Sequence, residues 1–263
     1  MNRRGQRVPW LTLLVAGVGF LFIVAPLVAL IKHAPWGELW SQLGTPEARA
    51  ALKLSLVCSL WATALAILFG VPLALVLARV SFPGRSVVWA LTILPMVLPP
   101  VVGGVGLLYA FGRRGLIGSH LYDWFHIQFT FSTAGVVLAE TFVAMPFLII
   151  TVEGALRAMD RRYEEAASSL GAGRWMVFRR VTLPMIAPGL LAGAVLAWAR
   201  ALGEFGATIT FAGNIQGRTQ TMPLAVYLLL DSEPQIATAL SLVLLAISVT
   251  VLALLRHRWL GRA

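Results

Sequence analysis

Charged residues that interrupt apolar segments are the best candidates for chemistry in this sequence. Arg200 and Glu204 are the only charged residues within positions 186–212. Residues four apart share one face of a helix, so their spacing predicts an ion pair. A charge at the centre of a membrane helix costs ~2.5–3.5 kcal/mol on insertion scales, so both side chains should face the protein interior or water.

The sequence leaves two interpretations of the Arg200–Glu204 pair open. In the first, the pair neutralises itself and holds helices or protomers together. In the second, Arg200 offers positive potential to a passing anion, and Glu204 prevents that anion from binding too tightly. The first is favoured, because the carboxylate cancels most of the field that an anion would feel. Glu140, alone in the apolar segment 133–152, is expected to pair with Arg200 across the helix bundle.

A break is predicted in the uncharged segment 86–112. It contains Pro99 and Pro100, which are followed by several glycines. Prolines remove backbone donors in the middle of a membrane helix. The break therefore indicates either a kinked helix used for packing or a bend that lines a path through the membrane.

No group of residues has the spacing of a catalytic site or a metal site. The only cysteine, Cys58, has no partner for a disulfide. The four histidines show no metal-ligand spacing with it; they are His33, His120, His126 and His257. The sequence also lacks the Gly-x-x-x-x-Gly-Lys-Ser/Thr run of an ATP-binding loop. We therefore expect no enzymatic activity, no metal and no cofactor, and any ATP must be hydrolysed by another polypeptide.

A polar segment with helical signals lies between residues 153 and 184. Asp160 can cap a helix that runs to Leu170, and Gly171 then takes the left-handed position that ends it. Glu165 points to one side of this helix. Apolar side chains follow the opposite face and suit a groove in a partner; they are Tyr163, Ala166, Ala167 and Leu170.

A second short helix is predicted to follow within the same polar segment. It carries Trp175 and Phe178 three positions apart. It should lead to Leu183 and Pro184, where the next apolar segment begins. Together the two short helices would meet at an angle.

Composition and the length of the apolar segments predict a membrane protein. The chain has 263 residues, of which 59% are hydrophobic and 12% charged, whereas soluble domains average ~45–50% and ~25%. A helix needs ~20 apolar residues to cross the hydrocarbon core. Six segments reach this length: residues 10–31, 54–78, 86–112, 133–152, 186–212 and 234–255. The predicted fold class is all-α, a polytopic bundle of six membrane helices.

The distribution of basic residues predicts the orientation of this bundle. Of the 21 Lys and Arg residues, 14 fall in the two tails, the loop 79–85 and the segment 153–184, and six fall on the other side. Lys and Arg near the ends of spans stay in the cytoplasm, so both termini and the segment 153–184 should be cytosolic. The net charge of +10 then reflects topology and does not indicate nucleic-acid binding.

These elements divide the chain into three parts. Residues 1–50 hold a cytosolic tail, the first membrane helix and an outer segment. At 22 residues, that first helix exceeds the ~7–15-residue core of a signal peptide, so we interpret it as an uncleaved span. Residues 51–255 hold the other five helices, and residues 256–263 form a second cytosolic tail.

The polar segment resembles the coupling loop of the permease subunits of bacterial ABC importers. The matching residues are Glu165, Ala166, Ala167, Gly171, Val181, Leu183 and Pro184, with Val181 where isoleucine is most usual. This resemblance implies the type I importer fold. It also implies that the segment docks on an ATPase subunit and transmits its opening and closing, with Glu165 and Gly171 at the two most characteristic positions.

Four further runs are similar to the permease of molybdate importers: Phe111–Gly118, Leu121–Trp124, Phe129–Ser132 and Ala201–Phe211. The resemblance implies a homodimer in the bacterial inner membrane, two ATPase subunits and an extracytoplasmic molybdate-binding protein. It does not separate tungstate from molybdate. Sulfate permeases share much of the pattern but usually pair two different chains, so sulfate remains an alternative. A passive anion channel is a weaker alternative, because a channel needs no loop that docks on an ATPase.

Overall fold

The computed structural model describes the backbone of residues 9–260 and the side chains of residues 9–254, and this part of the chain contains helices but no strands. The helices are α1 (Trp10–Lys32), α2 (Leu39–Leu43), α3 (Pro46–Arg79), α4 (Arg85–Val97), α5 (Pro100–Phe111), α6 (Gly118–Phe125), α7 (Thr133–Ala158), α8 (Arg162–Ser169), α9 (Arg174–Val177), a π-helical turn (Phe178–Thr182), α10 (Leu183–Leu202), α11 (Gly206–Ala212), α12 (Met222–Ser232) and α13 (Pro234–Leu260). The predicted all-α class is confirmed.

Five of the described helices are long and apolar enough to cross a membrane, and the bent pair α4–α5 brings the number to six if it counts as one span. The two helices of this pair are inclined by 119°, so the predicted segment 86–112 is not a single straight helix. The break falls at Leu98 and Pro99, the C-cap of α4 and the N-cap of α5. Pro99 and Pro100 have no N–H group to continue the ladder of α4.

The centre of the bundle consists of α3, α7 and α10, which pack against one another along their lengths. Small residues make this close approach possible. A methyl group on Gly70 would lie 3.1 Å from Leu148 Cδ2, and one on Gly189 would lie 2.6 Å from Ala155 Cβ. Glycine and alanine at helix interfaces let backbones approach closely in a membrane, where dispersion contacts hold helices together. Helix α1 lies outside this core, and none of its residues is buried.

Several predicted boundaries differ from those of the structure. The segment 186–212 is broken after Leu202, where Gly203 ends α10 before α11 begins at Gly206. The polar segment is shorter than predicted, because α7 continues to Ala158 and includes residue 153. The last helix extends to Leu260, so most of the predicted tail 256–263 is helical.

Several basic residues used to predict the orientation lie outside the described residues or side chains. Residues 1–8 and 261–263 lie outside the described part of the chain, as do the side chains of residues 255–260. The affected residues are Arg3, Arg4, Arg7, Arg256, Arg258 and Arg262.

Candidate functional site

Glu204 occupies the break between α10 and α11, and it makes two contacts there. Its Oε2 lies 2.6 Å from Nη2 of Arg200. Its Oε1 accepts a hydrogen bond of 2.8 Å from the backbone N–H of Ala207, in the first turn of α11. The Glu204 side chain is 1% exposed and that of Arg200 is 28% exposed. The carboxylate therefore neutralises Arg200 and also satisfies a backbone donor that the break would leave free.

Glu140 does not make the predicted pair with Arg200. Its side chain is buried in α7, and Arg200 forms its ion pair with Glu204 instead. Within the described side chains, Oε2 of Glu140 has no hydrogen-bond partner. Glu140 and Glu204 are both buried carboxyl groups, and of the two only Glu204 contacts an arginine among the described side chains.

The two broken segments of the chain meet inside the bundle. Helices α5 and α11 pack side by side. A methyl group on Gly206 would lie 2.8 Å from Pro100 Cβ, and one on Gly104 would lie 2.7 Å from Thr210 Cβ. Irregular backbone at membrane depth is tolerated where protein buries it or where it lines a water-filled cavity. The structure thus brings Pro99 and Pro100 next to the α10–α11 break.

The contact between α5 and α11 gives a packing prediction with an internal control. We expect Gly104→Val to destabilise the protein by ~1–3 kcal/mol, because the added side chain would overlap Thr210 and the carbonyl oxygen of Ala207. Gly106→Val adds the same side chain two residues further along α5, where nothing lies within 4 Å. The thermal unfolding midpoint of the purified protein should fall for the first variant alone. Equal midpoints for both variants would contradict this packing.

The polar segment forms two short helices joined by a tight turn. Helix α8 begins at Arg162, and its N-cap is Arg161 rather than the predicted Asp160. Asp160 lies one residue before the cap, and its Oδ1 accepts a hydrogen bond of 3.0 Å from the N–H of Arg162. Gly171 has a φ of +85°, the left-handed geometry predicted for it. Its N–H donates to the carbonyl oxygen of Ser168 at 3.0 Å. A left-handed glycine ends a helix without steric cost.

Large apolar side chains are exposed on these two short helices. Leu170 is 90% exposed, Trp175 71% and Tyr163 59%. Trp175 stacks on Phe178 with 5.5 Å between ring centroids. Among the matching residues of the polar segment, Glu165 and Ala166 are exposed, while Ala167 is half-buried. A cluster of exposed apolar side chains with a polar rim is typical of a protein interaction site, and we call residues 162–178 the coupling surface.

The second short helix is continuous with the membrane helix that follows it. Helix α9 passes through the π-helical turn into α10, giving one apolar helix from Arg174 to Leu202. Helix α10 begins at Leu183 with Pro184 in its first turn, at the predicted position, but no break separates it from the preceding short helix. Leu183 N–H bonds to the carbonyl oxygen of Phe178, five residues back. This wider turn lets the helix pass Pro184, which has no N–H to donate.

Most of the chain matches a known family of transport proteins. Residues 66–263 match the family described as binding-protein-dependent transport system inner membrane component. The chain belongs to this family. It is a multi-pass inner-membrane protein and a subunit of a transport system.

Relatives within and around this family include molybdenum and sulfate permeases. The chain is 50% identical over 240 residues to the molybdenum transport system permease protein ModB of Mycobacterium tuberculosis, covering 90% of each chain. It is 37% identical over 236 residues to the sulfate transport system permease protein CysT of Escherichia coli, covering 88% of this chain and 85% of the relative. A solved bacterial ABC transporter that imports the acidic polysaccharide alginate matches with a TM-score of 0.73 at 22% identity, covering 95% and 94%. The predicted type I importer fold is confirmed.

Sequence reasoning missed two carboxylates of this inner-membrane component. Glu164 accepts a hydrogen bond of 2.7 Å from Thr182 Oγ1 and lies beside Arg79. A single sequence gives no sign that positions 79 and 164 meet, because their contact depends on how α3 and α8 pack.

The second missed carboxylate is Glu153, near the end of α7. Its Oε2 accepts a hydrogen bond of 2.9 Å from Trp89 Nε1, and its Oε1 lies 2.6 Å from Arg157 Nη2. The side chain of Glu153 is 6% exposed. The sequence predicts this residue at the start of a polar loop. In the structure it lies in α7, and its hydrogen bond with Trp89 connects α7 to α4.

Proposed function

We propose that this chain is the permease subunit of an ATP-driven importer of molybdate, with tungstate as an equal candidate. The observation that carries the proposal is the identity of 50% to a molybdenum permease over 90% of both chains. Identity to the sulfate permease is 37%. The chain would form the pathway through the membrane and would itself hydrolyse no ATP.

We propose that the coupling surface docks on an ATP-binding cassette ATPase. Exposed Leu170, Trp175 and Tyr163 would enter a groove of the partner, as an amphipathic helix does. The residues that we propose to act in docking and transmission are Glu165, Ala166, Ala167, Gly171, Leu183 and Pro184. Two copies of the chain would surround one pathway and engage two ATPase subunits, and an extracytoplasmic binding protein would deliver the oxyanion.

We propose that the break between α10 and α11, together with Pro99 and Pro100, borders the pathway. Arg200 is the one basic residue within the predicted spans, and Glu204 neutralises it at 2.6 Å. This arrangement suits an anion that must pass without being held tightly, because a bound dianion would meet Glu204 as well. Selectivity would then rest mainly in the binding protein.

We propose that both termini and the coupling surface face the cytosol, because basic residues concentrate on that side. A reporter that is active only outside the cytosol should remain silent when it is inserted at Gly173, between α8 and α9. The same reporter inserted at Arg114, between α5 and α6, should be active. Activity at Gly173 would overturn the orientation.

The substrate can be tested by complementation. A bacterial strain that lacks its own molybdate permease should regain molybdenum-dependent nitrate reduction at low molybdate when it expresses this chain with its ATPase and binding protein. Excess tungstate should inhibit this rescue, whereas excess sulfate should not. Rescue of a sulfate-permease mutant at low sulfate, without rescue of the molybdate mutant, would replace molybdate with sulfate in the proposal.

A further inference from the structure

Glu164 connects the coupling surface to two membrane helices at once. Its Oε2 lies 3.2 Å from Arg79 Nη2, at the C-terminal end of α3. Its Oε1 accepts a hydrogen bond of 2.7 Å from Thr182 Oγ1, in the π-helical turn at the base of α10. The exposed fractions are 19% for the Arg79 side chain and 23% for that of Glu164. One carboxylate therefore joins α8, α3 and α10 at a largely desolvated point.

The neighbouring Glu165 has a different environment. It is exposed on α8, and it forms no ion pair within the described side chains. Successive residues of a helix project about 100° apart. Glu165 is thus available to a partner, while Glu164 turns back toward the membrane helices of its own chain.

We call the contacts of Glu164 with Arg79 and Thr182 the joint. Arg79 has hydrogen-bonding capacity that the joint does not use, and a cavity lies next to it. Nε of Arg79 is buried and has no hydrogen-bond partner among the described residues. Nη2 is also buried, and its contact with Glu164 at 3.2 Å is an ion pair without the angles of a hydrogen bond. Buried donors without an acceptor are costly, so a small displacement of α8 can improve the Arg79–Glu164 contact. A cavity of about 600 Å³ lies beside the joint, with Leu75, Val177 and Phe178 among its lining residues. Helix α8 therefore has room to move relative to α3.

We propose that Glu164 is the positioning residue that transmits movement of the coupling surface to the second and fifth spans. When an ATPase moves α8, Glu164 pulls Arg79 and, through Thr182, the base of α10. Thr182 itself lies in the π-helical turn, an irregularity that is frequently found at functional sites. This inference rests on the proposed function, because it presumes that the coupling surface receives an ATPase.

Glu165 and Glu164 are expected to have different roles, in ATPase binding and in transmission, and loss of transport alone would not distinguish them. Variants of Glu165 should weaken the binding of the ATPase. Glu164→Gln should leave the ATPase bound and hydrolysing ATP, but uptake per ATP hydrolysed should fall ~5-fold or more, the usual scale of coupling between sites. Arg79→Gln should have the same effect from the other side of the joint. Glu47→Gln is the matched control, because it makes the same change at the opposite end of α3 and lies in no ion pair of the described side chains.

A distance measurement tests the link without reference to the substrate. Cys58 is buried and is first replaced by alanine, and spin labels are then attached at Arg162→Cys on α8 or at Val80→Cys, just after α3. Distances across the permease dimer are measured by electron paramagnetic resonance in the assembled transporter, without nucleotide and trapped with ATP and vanadate. In the parent protein, the label-to-label distances at both positions should change when the transporter is trapped with ATP and vanadate. In Glu164→Gln and Arg79→Gln the shift at Arg162→Cys should persist and that at Val80→Cys should be lost.

Two results would contradict the proposal in different ways. An unchanged shift at Val80→Cys in both Glu164→Gln and Arg79→Gln would overturn the link while leaving the importer intact. No shift at either position in the parent protein would contradict the proposed ATP-driven function itself, and the link with it.

Discussion

Replacing Glu204 with alanine is expected to destabilise the permease by ~3 kcal/mol, near the lower end of the range for breaking a buried ion pair. The substitution leaves Arg200 without its partner at 2.6 Å inside the membrane. It also removes the acceptor of the Ala207 N–H, at a break that offers no helical partner. Thermal unfolding of the protein in lipid nanodiscs measures the effect as a lower midpoint.

Two further variants separate these contributions. Glu204→Gln keeps an oxygen for Ala207 but loses the charge, so it should be less harmful than alanine. The double variant Arg200→Ala with Glu204→Ala should be more stable than Glu204→Ala alone, because it removes the unpaired cation. If the double variant unfolds at a lower temperature than the single one, the ion pair is not what stabilises this break.

Gly171→Pro and Glu165→Arg are expected to leave the permease in the membrane and to weaken its binding of the ATPase about tenfold or more, which corresponds to ~1.4 kcal/mol. Proline cannot adopt the φ of +85° at Gly171, and it also removes the N–H that bonds to Ser168. Glu165→Arg reverses an exposed charge on the coupling surface. Co-purification of the ATPase with the tagged permease measures the loss.

The control for this second prediction is Gly154→Ala. Gly154 lies in α7, outside the coupling surface, and nothing lies within 4 Å of the position that a methyl group would occupy. It should bind the ATPase as the unmodified protein does. If Gly171→Pro and Glu165→Arg both retain normal ATPase binding and transport at normal membrane levels, the coupling surface is assigned wrongly.

Hydropathy located the membrane helices but could not give their shape. Both halves of the segment 86–112 are apolar, so a straight span and a bent pair inclined by 119° have the same composition. Pro99 and Pro100 signalled the break, but its angle depends on packing against α11. The break at Glu204 was missed, because a charge four residues after Arg200 is equally compatible with an unbroken helix.

The candidate site was predictable where the signal is local. The left-handed Gly171 follows from its own conformational freedom, and the approach of Arg200 and Glu204 follows from their spacing. Contacts between distant segments were not predictable. Glu140 was expected to meet Arg200, but the rotation of α7 about its axis is set by the packing of its small residues against α3 and α10. The joint at Glu164 depends in the same way on tertiary structure.

ATP-dependent uptake by a purified system tests the central claim most directly. The permease, its ATPase and its binding protein are reconstituted in liposomes, and molybdate uptake from low concentration is measured with ATP and with a non-hydrolysable ATP analogue. We predict uptake with ATP and none with the analogue. Molybdate and tungstate should enter at similar rates, and sulfate should enter more slowly. Uptake that proceeds equally with the analogue, or that favours sulfate over both other oxyanions, would contradict the account.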